Sequence, residues 1–200
     1  MGAPDLYYLN LATAVVGSDI ARANAPVDQA KSLGSAGMII DNRNTKGVNH
    51  RLLIQRLICS PSVTMIYNIP VLSGPDVRTV FTTQINVSSV NAYCGPMVLV
   101  VSAQNISSEE DFAAHLVGAH RVIVVGRQTA GTNGNATGLF LPGGGLFPFT
   151  GLEVRNVDGS QFHGIGIVPD FPVQYTAADF AAGRDRDLEV AIQVLHGQTP

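Results

Sequence analysis

Three nearly continuous apolar runs constrain the fold of this chain more than any other feature. They are Gly37–Asp41, Met97–Val101 and Arg121–Gly126. Continuous rather than alternating apolar residues are typical of strands that are buried on both faces of a parallel sheet. A helix is predicted over Ser107–Val117, between the second and third runs. The order strand–helix–strand with short connections predicts a βαβ unit, and therefore an α/β domain with a mainly parallel sheet.

The other predicted elements are shorter or less regular. The patterns indicate a strand at Tyr7–Leu11, one helix or two short ones over Ser18–Leu33 because of Pro26, a helix at His50–Cys59, strands at Val63–Ile69 and Val77–Val87 separated by a turn at Pro70–Pro75, hairpin-like strands near Gly151–Val157, and a helix at Asp185–His196. No internal repeat or interdomain linker is apparent, so a single domain is expected over residues 1–200.

Composition narrows the class of protein. Hydrophobic residues make up 46% of the 200 residues and charged residues 14%, which predicts a packed globular domain. The net charge is −3 and the basic residues are scattered, so nucleic acid is not an expected partner. No apolar stretch approaches the roughly 20 residues that span a bilayer. Residues 1–5 show no positively charged start of a secretory signal.

Neither the cysteines nor the glycine-rich segments indicate a metal or cofactor site. Cys59 and Cys94 permit one disulfide or two buried free thiols, and both alternatives stay open. Gly131–Gly134 and Gly143–Gly145 lack the sequence of a phosphate-binding loop and are interpreted as hairpin turns. No Cys/His cluster has the spacing of a metal site. We therefore predict no cofactor and no metal.

Ser107 is the residue best placed for chemistry. It follows a buried strand and a short loop, at the predicted start of a helix, where amide groups and the helix dipole can stabilise a developing oxyanion. A purely structural interpretation is that Ser107 and Glu110 form a capping box. The two interpretations are compatible, because a nucleophile can sit at a cap.

Four motifs in order resemble the tail-specific, or C-terminal processing, serine peptidase family. They are a strand ending in Asp-x-Arg before a glycine-containing loop at Gly37–Gly47, the serine segment at Val98–Glu110, a Val-Val-Gly strand with a Thr-Ala-Gly turn at Val124–Gly131, and Gly164–Asp170, which reads GIGIVPD. Together with a terminal helix, the resemblance covers roughly residues 7 to 196.

The resemblance implies a fold, an activity and a set of site residues. The fold would be of the crotonase/Clp-protease type, with stacked ββα units around a mainly parallel sheet. The activity would be hydrolysis of peptide bonds through an acyl-enzyme on Ser107, with cleavage near the C-terminus of a peptide or protein substrate. The backbone N–H groups of Ser108 and Gly47 would form the oxyanion hole.

The general base is where the sequence departs from the family. The Ser–Lys branch has a lysine just after the Thr-Ala-Gly turn, at about Thr132, and no lysine is present there. The tricorn-like branch uses a Ser-His-Ser-Glu arrangement whose His is expected upstream of the region seen here and whose Glu falls at His163. Either His163 takes a different role, as our candidate catalytic histidine, or the catalytic arrangement is incomplete. The structural alternative for His163 is a surface or half-buried histidine in a turn. His50 is a second candidate because it is near Gly47. His115 and His120 are expected to face solvent, and no role is expected for His196.

Two rival functions are considered. The missing lysine and the non-acidic residue at position 163 favour the first, a non-catalytic member that keeps the scaffold to bind a peptide or ligand. The second is an acyl-CoA enzyme of the related crotonase fold, which is disfavoured because the serine motif would have no purpose in it. The resemblance favours a periplasmic or secreted location, and it implies a fragment or a member that lacks the family's PDZ or N-terminal domain. The sequence leaves monomer or oligomer open.

Overall fold

The computed structural model describes residues 3–13, 20–43 and 51–198. The strands in chain order are β1 (Leu6–Asn10), β2 (Gly37–Asp41), β3 (Ser62–Val63), β4 (Ile66–Leu72), β5 (Arg78–Thr83), β6 (Asn86–Val87), β7 (Met97–Val101), β8 (Ile123–Gly126), β9 (Ala136–Phe140), β10 (Leu146–Thr150), β11 (Glu153–Arg155) and β12 (Phe171–Pro172). The helices are α1 (Ile20–Ser32), α2 (Arg51–Leu57), α3 (Ser108–Gly118), α4 (Ala177–Ala181) and α5 (Arg186–Leu195).

A five-stranded sheet forms the centre of the protein. Its order is β1-β2-β7-β8-β12, and every neighbouring pair is parallel. Two predicted strands have the bounds of β2 and β7, and α3 connects β7 to β8 as the βαβ prediction requires. The third predicted run starts late, at Ile123, because the Arg121 guanidinium donates to the carbonyl oxygens of Leu57, Tyr93 and Gly95 and so holds the preceding residues in a loop.

The core lies on both faces of this sheet, which explains the continuous apolar runs. On one face Ile40 and Leu99 pack with buried residues of α1, α2 and α3, such as Phe112. On the other face Ile39 and Val98 pack with α5. Alternate residues of one strand therefore enter different clusters. The mixed α/β class with a parallel sheet is confirmed, while the crotonase/Clp-type stacking stays a prediction.

Among the described residues, three antiparallel sheets lie outside the central sheet, and the smallest of them pairs β3 with β6. β4 pairs with β11 on one edge and with β5 on the other. Pro70 was predicted to be in a turn but lies within β4, opposite Val80. The reason is that β11 covers only Ile66–Asn68, so β4 is an edge strand at Pro70 and a missing N–H can be tolerated there. β9 and β10 form an exposed hairpin whose turn contains Gly143–Gly145, as predicted.

The structure decides between alternatives that the sequence left open for the cysteines and for the first helix. Cys59 and Cys94 form a disulfide across a sequence separation of 35 residues. α1 is one helix with Pro26 inside it rather than two short ones, and Val27 and Ala30 anchor it in the core. None of the described helices is long and apolar enough to cross a membrane.

Candidate active site

Ser107 occupies an unusual backbone position between β7 and α3. It is the N-cap residue of α3, with φ 54° and ψ −123°, a region that residues with a Cβ rarely adopt. A helix N-cap normally has an extended backbone, from which the side chain can accept from the first turn. At Ser107 the side chain makes no capping hydrogen bond with the described residues. The hydroxyl is therefore not used to cap the helix.

The predicted Ser107–Glu110 capping box is wrong, and another residue takes its place. Glu109 Oε2 accepts from the backbone N of Ile106 at 3.2 Å and from Asn105 Nδ2 at 3.2 Å. The Glu110 carboxylate instead turns towards residues 129–132. The positive φ of Ser107 explains the change, because it removes the extended backbone that a capping box requires.

A buried asparagine holds the loop that precedes Ser107. Asn105 Oδ1 accepts from the backbone N of Ser102 at 2.7 Å, and Asn105 Nδ2 donates to the carbonyl oxygen of Asn42 at 2.6 Å. Asn42 Nδ2 donates in turn to the carbonyl of Glu109 at 3.0 Å. The loop is thus fixed to the end of β2. Sequence reasoning missed Asn105, because an asparagine in a short loop gives no sign that it will be buried.

Ser107 opens on a cavity of about 290 Å³. Ser107 and Ser108 line it, together with residues of β4 and β5 and residues 133–135. Ile69, Ile85 and Leu152 give the cavity an apolar wall. Ser107 and its neighbour Ser108 both line the cavity, whereas Gly47 and His50 lie outside the described residues.

The polar part of the cavity is built around Asp111. Asp111 is in the first turn of α3 and lines the cavity together with Ser107. Asp111 Oδ1 accepts from the Tyr67 hydroxyl and from Asn133 Nδ2, the latter at 3.4 Å. Burial and the neighbouring Asp111 charge raise the pKa of Tyr67 well above its usual value, so its phenol stays protonated and donates at neutral pH. Sequence reasoning did not identify Asp111 or Tyr67.

The position at which the Ser–Lys branch has its lysine is occupied by Thr132, which contributes a hydrogen bond. The Thr132 backbone N donates to Glu110 Oε2 at 2.8 Å. The sequence predicted a hairpin turn at Gly131–Gly134. In the structure this segment is instead a loop that binds a buried carboxylate. Lys31, the one lysine in the described part of the chain, donates to the carbonyl of Asn91 at 3.2 Å.

The candidate His163 is near the cavity without lining it. Its Nε2 donates to the carbonyl oxygen of Asn133 at 2.6 Å, and Asn133 is a wall residue. His163 is half-buried in the turn that precedes Gly164. His163 therefore contacts the cavity wall from outside the lining, and one of its ring nitrogens is hydrogen-bonded to a wall residue.

For one of the remaining histidines, the predicted solvent exposure is wrong. His115 was expected to face solvent but is 1% exposed, because it lies on the side of α3 that packs into the protein. Its Nε2 is 2.8 Å from Ser62 Oγ, and burial lowers the pKa of its imidazole. His120 is exposed, as expected. His196 pairs with Asp5, with 2.9 Å between His196 Nε2 and Asp5 Oδ2.

The Asp-x-Arg motif forms an ion-pair cluster at the end of β2. The Arg43 guanidinium contacts Asp41 at 2.7 Å, and Asp185 and Asp187 at 2.9 Å each. Asp185 is the N-cap residue of α5. The motif therefore ties the central sheet to the start of the last long helix. Within residues 3–13, 20–43 and 51–198, no group of three or more His, Cys, Asp or Glu side chains could hold a metal ion.

Solved structures share this fold. A candidate peptidase from Parabacteroides merdae has a TM-score of 0.80 and 21% identity, over 98% of this chain and 62% of that one. The photosystem II D1 C-terminal processing protease has a TM-score of 0.64 and 21% identity, over 95% and 46%. The tricorn protease has a TM-score of 0.55 and 15% identity, over 96% and 17%. This chain thus spans less than two thirds of each of these three proteins.

Sequence comparison gives the family. No match was found among curated proteins. The sequence pattern of peptidase family S41 matches residues 8–173, which include β7, Ser107, the Thr-Ala-Gly turn and the Gly164–Asp170 motif. Because this match covers most of the chain and all four motifs, the chain belongs to peptidase family S41.

Proposed function

We propose that this protein hydrolyses peptide bonds through an acyl-enzyme on Ser107. The observation that carries the proposal is a serine at a helix start, held at φ 54°, whose side chain is not used as a cap and which opens on a cavity. Ser107 Oγ would attack the carbonyl carbon while a base accepts its proton. The amine product would then leave with a proton, and water would release the acyl group.

Backbone amides at the start of α3 support the same chemistry. Ser108 is the first residue of α3 and lines the cavity beside Ser107. Its N–H and that of Gly47 are the oxyanion donors in this proposal, and each such donor is worth about 3–4 kcal/mol of transition-state stabilisation. The 11-residue helix adds the positive end of its dipole at the same place.

We assign the chain to the tail-specific, tricorn-like branch and His163 to the role of base. Thr132 at the position of the lysine argues against the Ser–Lys branch, and the contact of His163 with Asn133 keeps its ring close to the cavity wall. The substrate would be a peptide or protein cut near its C-terminus, with apolar side chains against Ile69 and Ile85. The disulfide is consistent with a periplasmic or secreted location, since disulfides persist in oxidising compartments.

Peptide hydrolysis by matched variants tests the proposal. The wild-type chain, Ser107→Ala, Ser73→Ala and His163→Gln would be incubated with a mixture of unstructured peptides, and the products would be identified by mass spectrometry. We expect cleavage by wild type and by Ser73→Ala, whose side chain is exposed between β4 and β5, and none by Ser107→Ala. Cleavage that persists in Ser107→Ala would refute the assignment, and full activity of His163→Gln would remove His163 as the base.

A second function is favoured by one observation. Of the described residues that line the cavity, none is His or Lys, and a serine hydroxyl without a neighbouring base is a poor nucleophile. A non-catalytic member would bind peptides in the same cavity. It would show peptide affinity by calorimetry that Ser107→Ala leaves unchanged, together with no cleavage by wild type.

A further inference from the structure

Glu110 has a set of contacts that neither capping nor core packing explains. It is in the first turn of α3, three residues after Ser107, and it is completely buried. Glu110 Oε1 accepts from Thr129 Oγ1 at 2.5 Å and from the Gly131 N at 2.6 Å. Glu110 Oε2 accepts from the Thr132 N at 2.8 Å and from Thr132 Oγ1 at 3.4 Å. All four donors belong to residues 129–132, which we call the carboxylate-binding turn.

The carboxylate-binding turn is fixed on its other side by the Gly164–Asp170 motif. The Thr129 N donates to the carbonyl of Ile167 at 3.1 Å, and the Ile167 N donates to Thr129 Oγ1 at 2.9 Å. The Gly164 N donates to the carbonyl of Gly131 at 2.9 Å. Gly131 has φ +69°, and a Cβ there would lie 2.7 Å from the Ile165 N, so only glycine permits this approach.

The same turn touches both sides of the candidate site. The Ala130 N donates to the carbonyl of Asn105, in the loop that precedes Ser107, at 3.2 Å. Asn133, which follows the turn directly, lines the cavity and contacts Asp111. The position of the cavity wall relative to Ser107 therefore depends on residues 129–132, and these depend on Glu110.

We propose that Glu110 is a positioning residue: its buried carboxylate fixes the carboxylate-binding turn, and through it the cavity wall, at the distance from Ser107 that reaction with a substrate requires. This inference rests on the proposed function of Ser107. Glu110 acts by geometry and not by proton transfer, because both of its oxygens already accept two hydrogen bonds each. Hydrogen bonds to a charged acceptor are the stronger kind and they fix geometry, which suits this role.

The test compares variants that alter the carboxylate-binding turn with variants that do not. Glu110→Gln replaces one oxygen by an NH₂ group that must face N–H donors, and Thr129→Val removes the hydroxyl that joins Glu110 to Ile167. Thr129→Ser keeps this hydroxyl and serves as the conservative rescue. Asp179→Asn is the control for loss of a buried carboxylate, because Asp179 accepts from Thr176 at the start of α4 and has no bond to the turn.

Two readouts are measured under conditions in which every variant is folded. The first is the rate of labelling of Ser107 by a fluorophosphonate, and the second is hydrogen exchange of the Gly131 and Thr132 amides. For Glu110→Gln and Thr129→Val we expect labelling at least about tenfold slower, since a misplacement of about 1 Å can cost a hundredfold in rate, and faster exchange of both amides. Thr129→Ser and Asp179→Asn should stay within about twofold of wild type in labelling rate.

Each outcome decides the question. Wild-type labelling rate in Glu110→Gln would overturn the proposal, and so would unchanged protection of the two amides. Absence of labelling in wild type would refute the nucleophile assignment instead, and the amide exchange would then decide alone whether Glu110 holds the turn. If Glu110→Gln does not fold, the contrast between Thr129→Val and Thr129→Ser gives the answer.

Discussion

Substitution of Ser107 by alanine and by glycine separates the backbone strain at this position from the role of its hydroxyl. Ser107 has φ 54° and ψ −123°. Alanine keeps the Cβ that makes this conformation unfavourable, whereas glycine adopts it without a steric cost. The difference in stability between Ser107→Ala and Ser107→Gly therefore measures the strain, independently of any loss of the hydroxyl.

The magnitude follows from two opposing contributions. A residue with a Cβ in a sparsely populated backbone region costs of order 1–3 kcal/mol. Glycine avoids this cost, but it loses about 0.5–1 kcal/mol of the benefit because it loses more chain entropy on folding. Ser107→Gly should thus be more stable than Ser107→Ala, typically by about 1 kcal/mol and at most by about 2.5 kcal/mol. Ser107→Ala itself should change stability little, since no capping bond is lost.

Equilibrium unfolding in urea measures these differences as shifts in midpoint at constant slope. Ser108 is the control: it is the first residue of α3, with a helical backbone, so glycine should be no more stable than alanine there. Thr176 accepts a capping bond from the Asp179 N, so Thr176→Ala should cost about 1 kcal/mol. A Ser107→Gly variant no more stable than Ser107→Ala would refute the strain argument.

Three further predictions concern stability. Replacing both Cys59 and Cys94 by serine should lower the unfolding free energy by about 4 kcal/mol, because the disulfide closes a separation of 35 residues. Urea unfolding measures this difference. An unchanged unfolding free energy would contradict a stabilising role of the disulfide. Burial lowers the pKa of His115. As pH falls, the imidazole is therefore protonated in the unfolded chain before it is protonated in the folded one. The stability that this residue provides above about pH 6.5 is lost as pH falls. His115→Gln should flatten the fall in unfolding free energy between about pH 7.5 and 5.5, and an unchanged slope would exclude His115 as its cause. Gly126→Ala should destabilise by at least about 3 kcal/mol, since its Cβ would lie 2.0 Å from a carbonyl oxygen of β7, whereas Gly143→Ala has open space and should cost only about 1 kcal/mol; similar melting temperatures for the two would be inconsistent with this contact.

The parts of the fold that the sequence predicted well are those with a local signal. β2 and β7 had to be apolar along their whole length because helices cover both faces of the sheet, so their bounds were readable. The start of α3 was placed within one residue. β4 was less readable, because whether Pro70 fits a strand depends on how far β11 extends along its other edge.

The parts of the site that escaped prediction depend on distant partners. Glu110 has the spacing of a capping box with Ser107, yet it binds residues 129–132, about 20 positions along the chain. His115 was expected to face solvent because it is near the end of the helix, but it is buried beside Ser62. Asp111 is held in the site by Tyr67 of β4 and by Asn133, which are both distant from it along the chain. No local pattern carries such contacts, because they are set by how the elements pack.

The most direct test of a nucleophilic Ser107 is to map the site of covalent modification. The intact chain would be treated with a fluorophosphonate, digested and analysed by tandem mass spectrometry, with Ser73→Ala and Ser107→Ala in parallel. We predict one adduct, on Ser107, in wild type and in Ser73→Ala, and none in Ser107→Ala. An unmodified Ser107 under conditions that label a known serine peptidase, or an adduct that survives in Ser107→Ala, would contradict the account.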